Sequence, residues 1–491
     1  MSIDRRSTLS LLAVTLALAA WPSCVPPAAA ESVLAIAGAT LLDGTGSPAL
    51  DHSVVLVADG RITAVGTTGE VAVPEAARRI DARGRFLVPG FVETHAHLAV
   101  GPVSFVLEAG VPVPTVTPEP ELAPLTLRAL LAHGVTTMRD PGGDTESLVR
   151  IRAAAEAGEL PGPSVLVAGS ILDRNRFDGL AVRVTTPGEV HAEVDRQAAA
   201  GIDFVKLYAG LEPALLGAGI ERAHVHGLPA IAHAQATSWT AAAELGIDQL
   251  LHILPGSADL LPEAEREAYA AEIASGKFLF TWFRRADLDG PLIREMIDAL
   301  VAHGVGVDPT LVLWETTARA DEPAITESAD LALVPPSLIE NWRGGFHFNL
   351  GWTPEDFVAA EAAFQRALEL TRRLHEAGVA LTAGTDANNP WVPPGPSFHR
   401  ELELLVAAGI PAAEVLVIAT RNGAAALGVL GDRGTIEPGK RADLVLLAAD
   451  PSRDIRATRR IEWVMREGRV YRPDELLPSP SGAPAGDRGD G

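Results

Sequence analysis

Two histidines separated by one residue, His95 and His97, lie inside the mostly apolar stretch of residues 87–100, which predicts a buried strand. Side chains of a strand alternate between its faces, so these two project to the same side. Buried imidazoles are costly unless a partner satisfies them, and the imidazole nitrogen is the commonest metal ligand among side chains. We therefore interpret the pair as metal ligands at the end of a buried strand.

A second His-x-His pair, His224 and His226, shows that the motif alone is not specific. It ends a helical stretch just before Gly227, where a histidine can face the negative end of the helix dipole. We assign this second pair a structural role.

Single polar residues close four further apolar runs: Lys206, His233, His252 and Asp386. One such residue would be explained as a satisfied core group. Their recurrence in successive strand–helix units predicts a single cluster of four histidines, one carboxylate and one lysine. That set of nitrogen and oxygen ligands suits zinc or a similar divalent ion.

Lysine is rare in this chain, which makes Lys206 unusual. Of 40 basic residues only Lys206, Lys277 and Lys440 are lysines. A neutral buried lysine can take up carbon dioxide, and the resulting carbamate has two oxygens that can bridge two cations. The alternative is a buried ammonium group paired with Asp203 or Asp386.

The elements that must position these residues are eight β-rich runs, which alternate with helical stretches over residues 88–429. The alternation predicts repeated βα units and a parallel sheet. Eight units predict an α/β fold, a (β/α)8 TIM barrel whose strand ends carry the site. The runs are "GFVETHAHL", "GVTTMRD", "SVLVAGS", "DFVKLYA", "PAIAHA", "DQLLHI", "VGVDPTLVL" and "VALTAGTDA". Residues 316–348 have little strand character and are predicted to be an insertion over the barrel mouth.

Short alternating strands occupy residues 31–87 and return in residues 430–476, so we expect both chain ends to build one small β-sandwich domain. Residues 1–30 combine Arg5 and Arg6, a short apolar run and small residues before a cleavage site, which predicts a signal peptide. We therefore expect an exported protein, periplasmic or extracellular, by either the twin-arginine or the ordinary secretory route.

Residues 477–491 are rich in proline, glycine and serine and predict a disordered tail.

Composition restricts the partners. The formal net charge of −23 argues against nucleic acid and anionic membranes, which need basic surface. The apolar run of the signal is too short for a membrane span. The single cysteine, Cys24, lies in the signal peptide, so no disulfide or thiolate site is expected in the mature chain. A lipid anchor at Cys24 is disfavoured by Trp21 and Pro22, and the oligomeric state, including a homo-oligomer, stays open.

The motifs "VPGFVETHAHL", "FVKLY", "AIAHA", "LLHI" and "AGTDA" resemble, in order and spacing, the metal motifs of the amidohydrolase superfamily. The closing stretch from "ELLVAAGIP" to "ADLVLLAADP" resembles its C-terminal signature. The pattern is most similar to the binuclear-metal branch of imidazolonepropionase-like dipeptidases and prolidases, and "GPSFHRELELL" with His399 fits that branch.

This resemblance implies a role for each ligand. His95, His97 and Asp386 would bind one metal, His233 and His252 would bind the other, and carboxylated Lys206 would bridge both. The chain departs from the pattern at Glu93, where the superfamily often has aspartate. Imidazolonepropionases typically use one metal and lack the bridging lysine, so Lys206 argues against that activity.

The implied function is hydrolysis of an amide bond in a small molecule, such as a dipeptide or an N-acyl amino acid, by a metal-bridging hydroxide. Asp386 would act as general base and then as general acid. Ester, lactone or organophosphate hydrolysis at the same site is the alternative. A non-catalytic binding relative is disfavoured because all six ligand positions are occupied.

Three residues are candidate substrate contacts. Tyr208 lies on the same face as Lys206 and could donate a hydrogen bond to the developing oxyanion. His399 and Arg139 could also contact the substrate. For Tyr208 packing at the rim is the alternative, and for Arg139 we prefer the alternative, an ion pair with Asp140 or a neighbouring carboxylate.

Overall fold

The computed structural model describes residues 33–108, 111–274 and 280–477. The predicted signal peptide with Cys24, and residues 478–491 of the predicted tail, lie outside these ranges.

The described residues contain nineteen strands. They are β1 (Leu34–Leu41), β2 (Leu50–Ala58), β3 (Arg61–Thr67), β4 (Arg78–Asp81), β5 (Phe86–Pro89), β6 (Phe91–Glu93), β7 (Val100–Glu108), β8 (Val111–Pro118), β9 (Val135–Asp140), β10 (Ser164–Val167), β11 (Ile171–Asp173), β12 (Ala181–Arg183), β13 (Val205–Leu207), β14 (Ala230–Ala232), β15 (Gln249–Leu251), β16 (Gly306–Asp308), β17 (Leu444–Leu447), β18 (Ile461–Arg466) and β19 (Arg469–Tyr471).

The same residues contain sixteen α-helices. They are α1 (Ala123–Ala132), α2 (Thr145–Glu156), α3 (Pro187–Ala200), α4 (Pro213–Val225), α5 (Trp239–Glu244), α6 (Glu263–Ala274), α7 (Thr281–Arg285), α8 (Pro291–His303), α9 (Leu311–Ala318), α10 (Pro323–Thr326), α11 (Pro336–Gly344), α12 (Pro354–Glu376), α13 (Pro396–Ala407), α14 (Ala412–Val417), α15 (Gly423–Ala426) and α16 (Pro473–Leu476).

Strands from both ends of the chain form one sheet, in the order β19-β18-β17-β5-β1-β2-β3, with β4 on β1. The junction is the antiparallel pair of β17 and β5, in which Val445 lies opposite Val88. Apolar side chains are buried on both faces of this sheet. Strands from the two ends of the chain are therefore paired in a single sheet.

Apart from the antiparallel hairpin of β7 and β8, the remaining strands pair in parallel. One sheet has the order β10-β9-β6 and another the order β12-β11-β13-β14-β15-β16. Three isolated parallel bridges link these strands to one another and to residues 381–387: Ala168 with Phe204, Val307 with Leu381, and Ala96 with Ala387. Helices intervene between most successive parallel strands, so the predicted α/β class is confirmed.

The chain differs from the sequence prediction where apolar runs end. The run from Val305 was expected to be one strand, but β16 ends at Asp308 and α9 begins at Leu311. An apolar run alone does not distinguish a buried strand from a buried helix, which explains the error. The predicted strand from Val379 does not form a strand element; it pairs with its neighbours at isolated bridges of Leu381 and Ala387. The stretch "GTIEPGK" forms turns.

Two insertions pack against each other beside the parallel strands. The hairpin of β7 and β8 follows directly after His97, and the predicted insertion at residues 316–348 is largely helical. The Asn341 side chain of α11 accepts a hydrogen bond from Val103 N at 2.9 Å and donates one to Val103 O at 2.8 Å. The ring of Trp342 packs on Trp391, with 5.7 Å between centroids.

Within the described ranges, no helix has the length and apolar character needed to cross a membrane.

Candidate active site

His95, His97 and Asp386 converge in the interior. The Nε2 atoms of His95 and His97 lie 3.3 and 3.0 Å from Oδ1 of Asp386. The three side chains are buried, and one potential ligand atom of each lies within 4.8 Å of the others. This is a donor set that a divalent cation requires.

The backbone holds these three side chains in place. β6 ends at Glu93, and the bridge between Ala96 and Ala387 joins the two ligand-bearing segments. The amide of Asp386 donates to His95 O at 2.7 Å. His95 and His97 therefore follow the strand rather than lie in it.

Glu93 links the two segments through its side chain. Its carboxyl group accepts hydrogen bonds from His95 N at 3.0 Å, Thr385 N at 2.9 Å and Thr385 Oγ1 at 2.8 Å. Burial raises the pKa of Glu93 well above its usual value. The residue that departs from the superfamily pattern thus positions both His95 and the loop of Asp386.

His233 and His252 lie beside His95, His97 and Asp386. Their ring centroids are 4.6 Å apart, and the ring of His252 is 4.9 Å from that of His95. Nδ1 of His252 lies 3.8 Å from Oδ2 of Asp386. The two histidines directly follow the neighbouring strands β14 and β15, which explains their proximity.

Lys206 lies in β13, next to β14, and only 1% of its surface is exposed. Burial lowers the pKa of its ammonium group to about 7, despite the attraction of Asp386. Burial and then the charge of Lys206 lower the pKa of His233 to about 3. Burial thus favours the neutral forms of both side chains, and the neutral imidazole is the form that binds a metal.

Some buried polar atoms of this cluster lack a hydrogen-bond partner, and they indicate whether cations fit the site. Nδ1 of His95, Nδ1 of His233 and Oδ1 of Asp308 are buried and have no hydrogen-bond partner among the described residues. Such atoms are rare in native proteins and need an explanation. Their concentration among histidines and carboxylates fits a site for cations.

Two aspartates of the site, Asp140 and Asp308, were not predicted from the sequence to be functional residues. Asp140 accepts hydrogen bonds from Leu98 N at 2.8 Å and Gly142 N at 3.0 Å, and Gly142 O lies 3.0 Å from Nδ1 of His97. Asp308 accepts from Thr94 Oγ1 at 2.9 Å and lies 3.6 Å from Nδ1 of His95. Each closes an apolar run, as Asp386 does, and that signal could have identified them.

The backbone adopts the left-handed conformation at several site residues that are not glycine. The φ values are 66° at His252, 48° at Thr310, 60° at Asp386, 70° at Asn388 and 65° at Trp391. This conformation is uncommon for such residues and concentrates at functional sites.

Tyr208 is brought to the cluster. Its ring centroid is 5.0 Å from that of His233 and 5.8 Å from Nζ of Lys206. Burial raises the pKa of its hydroxyl, which therefore keeps its proton at neutral pH. A protonated phenol can donate a hydrogen bond.

His399 is not brought to the cluster, contrary to the expectation of a substrate contact. Its Nδ1 lies 3.1 Å from Thr458 Oγ1, and its ring packs on Phe91 and His133. Phe91 is the first residue of β6, whereas His95 follows the last. His399 therefore belongs to the packing between elements.

Arg139 is also turned inward, which argues against a substrate contact. It is fully buried, donates from Nε to Thr94 O at 2.9 Å and places its guanidinium group 5.0 Å from the Phe204 ring centroid. Its Nη2 lies 3.8 Å from Asp308 Oδ2. The structure favours the internal ion pair, with Asp308 as the carboxylate.

The second His-x-His pair, which was predicted to be structural, contacts two aspartates. His224 pairs with Asp248 at 2.8 Å and His226 with Asp195 at 2.6 Å, at the end of α4.

Asp203, one alternative partner for Lys206, instead pairs with Arg152 at 2.7 Å.

Comparison with known proteins identifies the family to which this chain belongs. The model of the amidohydrolase family matches residues 86–471. The imidazolonepropionase of Symbiobacterium thermophilum is 26% identical over 412 residues, which cover 79% of this chain and 82% of that protein. A crystal structure of a putative prolidase from Bifidobacterium longum is 25% identical, with a TM-score of 0.65 and coverage of 91% and 98%. The bottromycin amidohydrolase structure is 26% identical, with a TM-score of 0.66 and coverage of 90% and 88%. The resemblance found in the sequence is confirmed: the chain belongs to the amidohydrolase family and is an enzyme that hydrolyses carbon–nitrogen bonds.

Proposed function

We propose that this enzyme hydrolyses the amide bond of a small molecule, such as a dipeptide or an N-acyl amino acid, at a binuclear metal centre. The observation that carries the proposal is the buried convergence of His95, His97 and Asp386, with His233, His252 and Lys206 beside them.

In this proposal His95, His97 and Asp386 hold one divalent ion, and His233 and His252 hold the second. Lys206, carboxylated on Nζ, provides the shared ligand. Zinc suits this mixture of imidazole and carboxylate donors. When bound, the ions polarise the substrate carbonyl and lower the pKa of water to near neutrality.

The proton transfers are assigned to Asp386. Its carboxylate accepts the proton of the attacking water and delivers it to the leaving nitrogen. Asn389 donates from Nδ2 to Oδ1 of Asp386 at 2.6 Å and so helps to orient the carboxylate. The hydroxyl of Tyr208 stabilises the negative charge that develops on the carbonyl oxygen.

The proposed architecture is a (β/α)8 barrel over residues 88–429 with a small β-sandwich built from residues 31–87 and 430–476. The ordered pairing of parallel strands, continued by the three bridges, supports the barrel. Placement of the ligands after β6, β14 and β15 agrees with the location of active sites in this architecture. Export by the signal peptide at residues 1–30 is part of the same proposal.

One cavity is lined by the loop that carries Asp386, but by none of the six proposed metal ligands. Its volume is about 510 Å³, within the range of small-molecule sites. Trp391, which follows Asp386 in the same loop, lines it together with Trp342, Arg343 and His347.

The test uses the zinc-loaded protein without residues 1–30, incubated with pooled dipeptides and N-acyl amino acids and analysed by mass spectrometry. Selective loss of members of the pool is expected. No loss, from protein shown to hold two zinc ions, would refute the linear amide substrate. Lactones, esters, organophosphates and cyclic amides form the second pool, the last because the relatives include an imidazolonepropionase.

A further inference from the structure

The buried glutamate Glu401 lies in α13, within the motif "GPSFHRELELL", and has no role in the function proposed above. Its two carboxyl oxygens accept hydrogen bonds from Leu311 N at 3.0 Å and Val312 N at 2.7 Å. These are the first amides of α9, which lies 90 residues away along the chain. Amides at a helix start have no acceptor within their own helix.

The start of α9 lacks a local cap, since the side chain of Thr310, the residue before the helix, makes no capping hydrogen bond. Thr310 has a φ of 48°, and its Oγ1 lies 2.9 Å from Nδ1 of His252. Glu401, a residue of another helix, therefore caps the start of α9 in place of Thr310. The hydroxyl of Thr310 instead contacts His252, a proposed metal ligand.

The neighbouring residue of α13 holds the same helix at a second point. Arg400 donates from Nε and Nη2 to the carboxylate of Glu315 in α9, at 2.7 and 2.6 Å. Consecutive residues of α13 thus fix the start of α9 and a point one turn later, which restrains both the position and the rotation of the helix.

We infer that Glu401 is a positioning residue that fixes the start of α9, and through it the Thr310 hydroxyl that orients the ring of His252. The inference rests on the proposed function, because it takes His252 to be a metal ligand. A partner on the second ring nitrogen sets the tautomer and orientation of a ligating histidine, and its loss typically lowers metal affinity 10- to 100-fold.

The experiment measures zinc per chain after dialysis against graded concentrations of a chelator. Glu401→Gln keeps the size of the side chain but turns an amide donor toward one backbone N–H. Thr310→Val removes the hydroxyl, and Thr310→Ser retains it. The control is Glu403→Gln, on the same helix, because Glu403 pairs with Arg400 and Arg459 and therefore reaches α9 only through Arg400, not at the start of the helix.

We expect Glu401→Gln and Thr310→Val each to weaken retention of one zinc equivalent by about 10-fold or more. The double variant should lose no more than the stronger single variant, because both changes break one chain of contacts. Thr310→Ser and Glu403→Gln should retain zinc as the unmodified enzyme does. A merely structural role of Glu401 would lower the thermal midpoint of unfolding without this coupling.

The inference would be overturned if Glu401→Gln retained zinc as well as the control does. It would also be overturned if the losses of zinc in Glu401→Gln and Thr310→Val simply added in the double variant. If Glu401→Gln does not fold, full retention by Thr310→Val overturns it as well. The variant His252→Ala separates this failure from that of the proposed function. If His252→Ala keeps both zinc ions, the proposed ligand set is wrong; if it loses one while Glu401→Gln does not, only the positioning role fails.

Discussion

In the proposed function Asp386 serves as a metal ligand and as a proton acceptor, and its surroundings keep it ionised for both tasks. Burial alone would raise the pKa of its carboxyl group, but the facing imidazoles of His95, His97 and His252 lower the pKa well below its usual value. The group is therefore a carboxylate throughout the neutral range.

Replacement of this carboxylate should separate binding from chemistry. Asp386→Asn keeps an oxygen donor but cannot accept a proton, so kcat should fall about 100- to 10,000-fold. Most of the zinc should remain, because the imidazoles are unchanged. Zinc content and single-turnover rates of the purified variant are the measurements, and kcat within a factor of a few of the original would contradict the assignment.

Lys206 predicts a dependence on carbon dioxide. Carbamate forms from the neutral amine, and since the pKa of Lys206 is about 7 the neutral fraction rises as the pH rises from about 6 to about 8. Metal-free protein should therefore bind more zinc in bicarbonate than in carbon-dioxide-free buffer, and the difference should grow over this range.

Lys206→Arg is the control for this prediction. Arginine remains charged at every pH of the experiment, so its zinc binding should not respond to bicarbonate. Equal uptake by the unmodified protein with and without bicarbonate would exclude the carbamate.

At the scale of elements, the site depends on close approach between β16, the segment after β6 and the segment at residues 381–387. Gly384 lies where these meet: a Cβ atom there would be 2.6 Å from Cβ of His95 and would overlap the carboxylate of Asp308. The absence of a side chain at this position allows the ligands to converge.

Gly384→Ala should accordingly destabilise the protein by about 1–3 kcal/mol, because an added methyl group in a packed interior forces its neighbours apart. Zinc affinity should fall with it. Urea unfolding and zinc content test this. Gly344→Ala is the matched control, because a Cβ atom added there would meet no neighbour within 4 Å among the described residues, and its free energy of unfolding should change by less than about 0.5 kcal/mol.

At the scale of the whole molecule, Asp432 connects the N-terminal and C-terminal parts of the chain. Its carboxylate pairs with Arg61 of β3 at 2.9 Å and with Arg441 at 2.6 Å. Burial alone would raise the pKa of Asp432, but hydrogen bonds from Arg61, Arg441 and Arg433 lower it to about 2.

The sign of the resulting pH dependence follows from this lowered pKa. The folded state holds Asp432 deprotonated more strongly than the unfolded state, so its stabilising effect is complete above the ordinary pKa of 3.8 and disappears as the pH falls to about 2. Asp432→Asn should lower the urea midpoint at pH 7, and the difference from the unmodified protein should shrink toward about pH 2. A difference that stays constant down to that pH would show that the ion pairs contribute nothing.

The sequence by itself determined the α/β class, the family and the residues that form the central cluster. Each of these depends on local patterns. An apolar run closed by one polar residue marks the end of a buried strand, and the ends of adjacent parallel strands lie together. His95, His252 and Asp386 could therefore be grouped without knowledge of any contact between them.

The tertiary structure alone decided how the surrounding residues are used. His399 bonds to Thr458, 59 residues away, and Glu401 caps a helix that begins 90 residues before it. No periodicity encodes such pairs, because they depend on how whole helices pack against one another. Arg139 turned inward for the same reason: its environment is formed by Phe204 and Asp308, which only the folded chain brings to it.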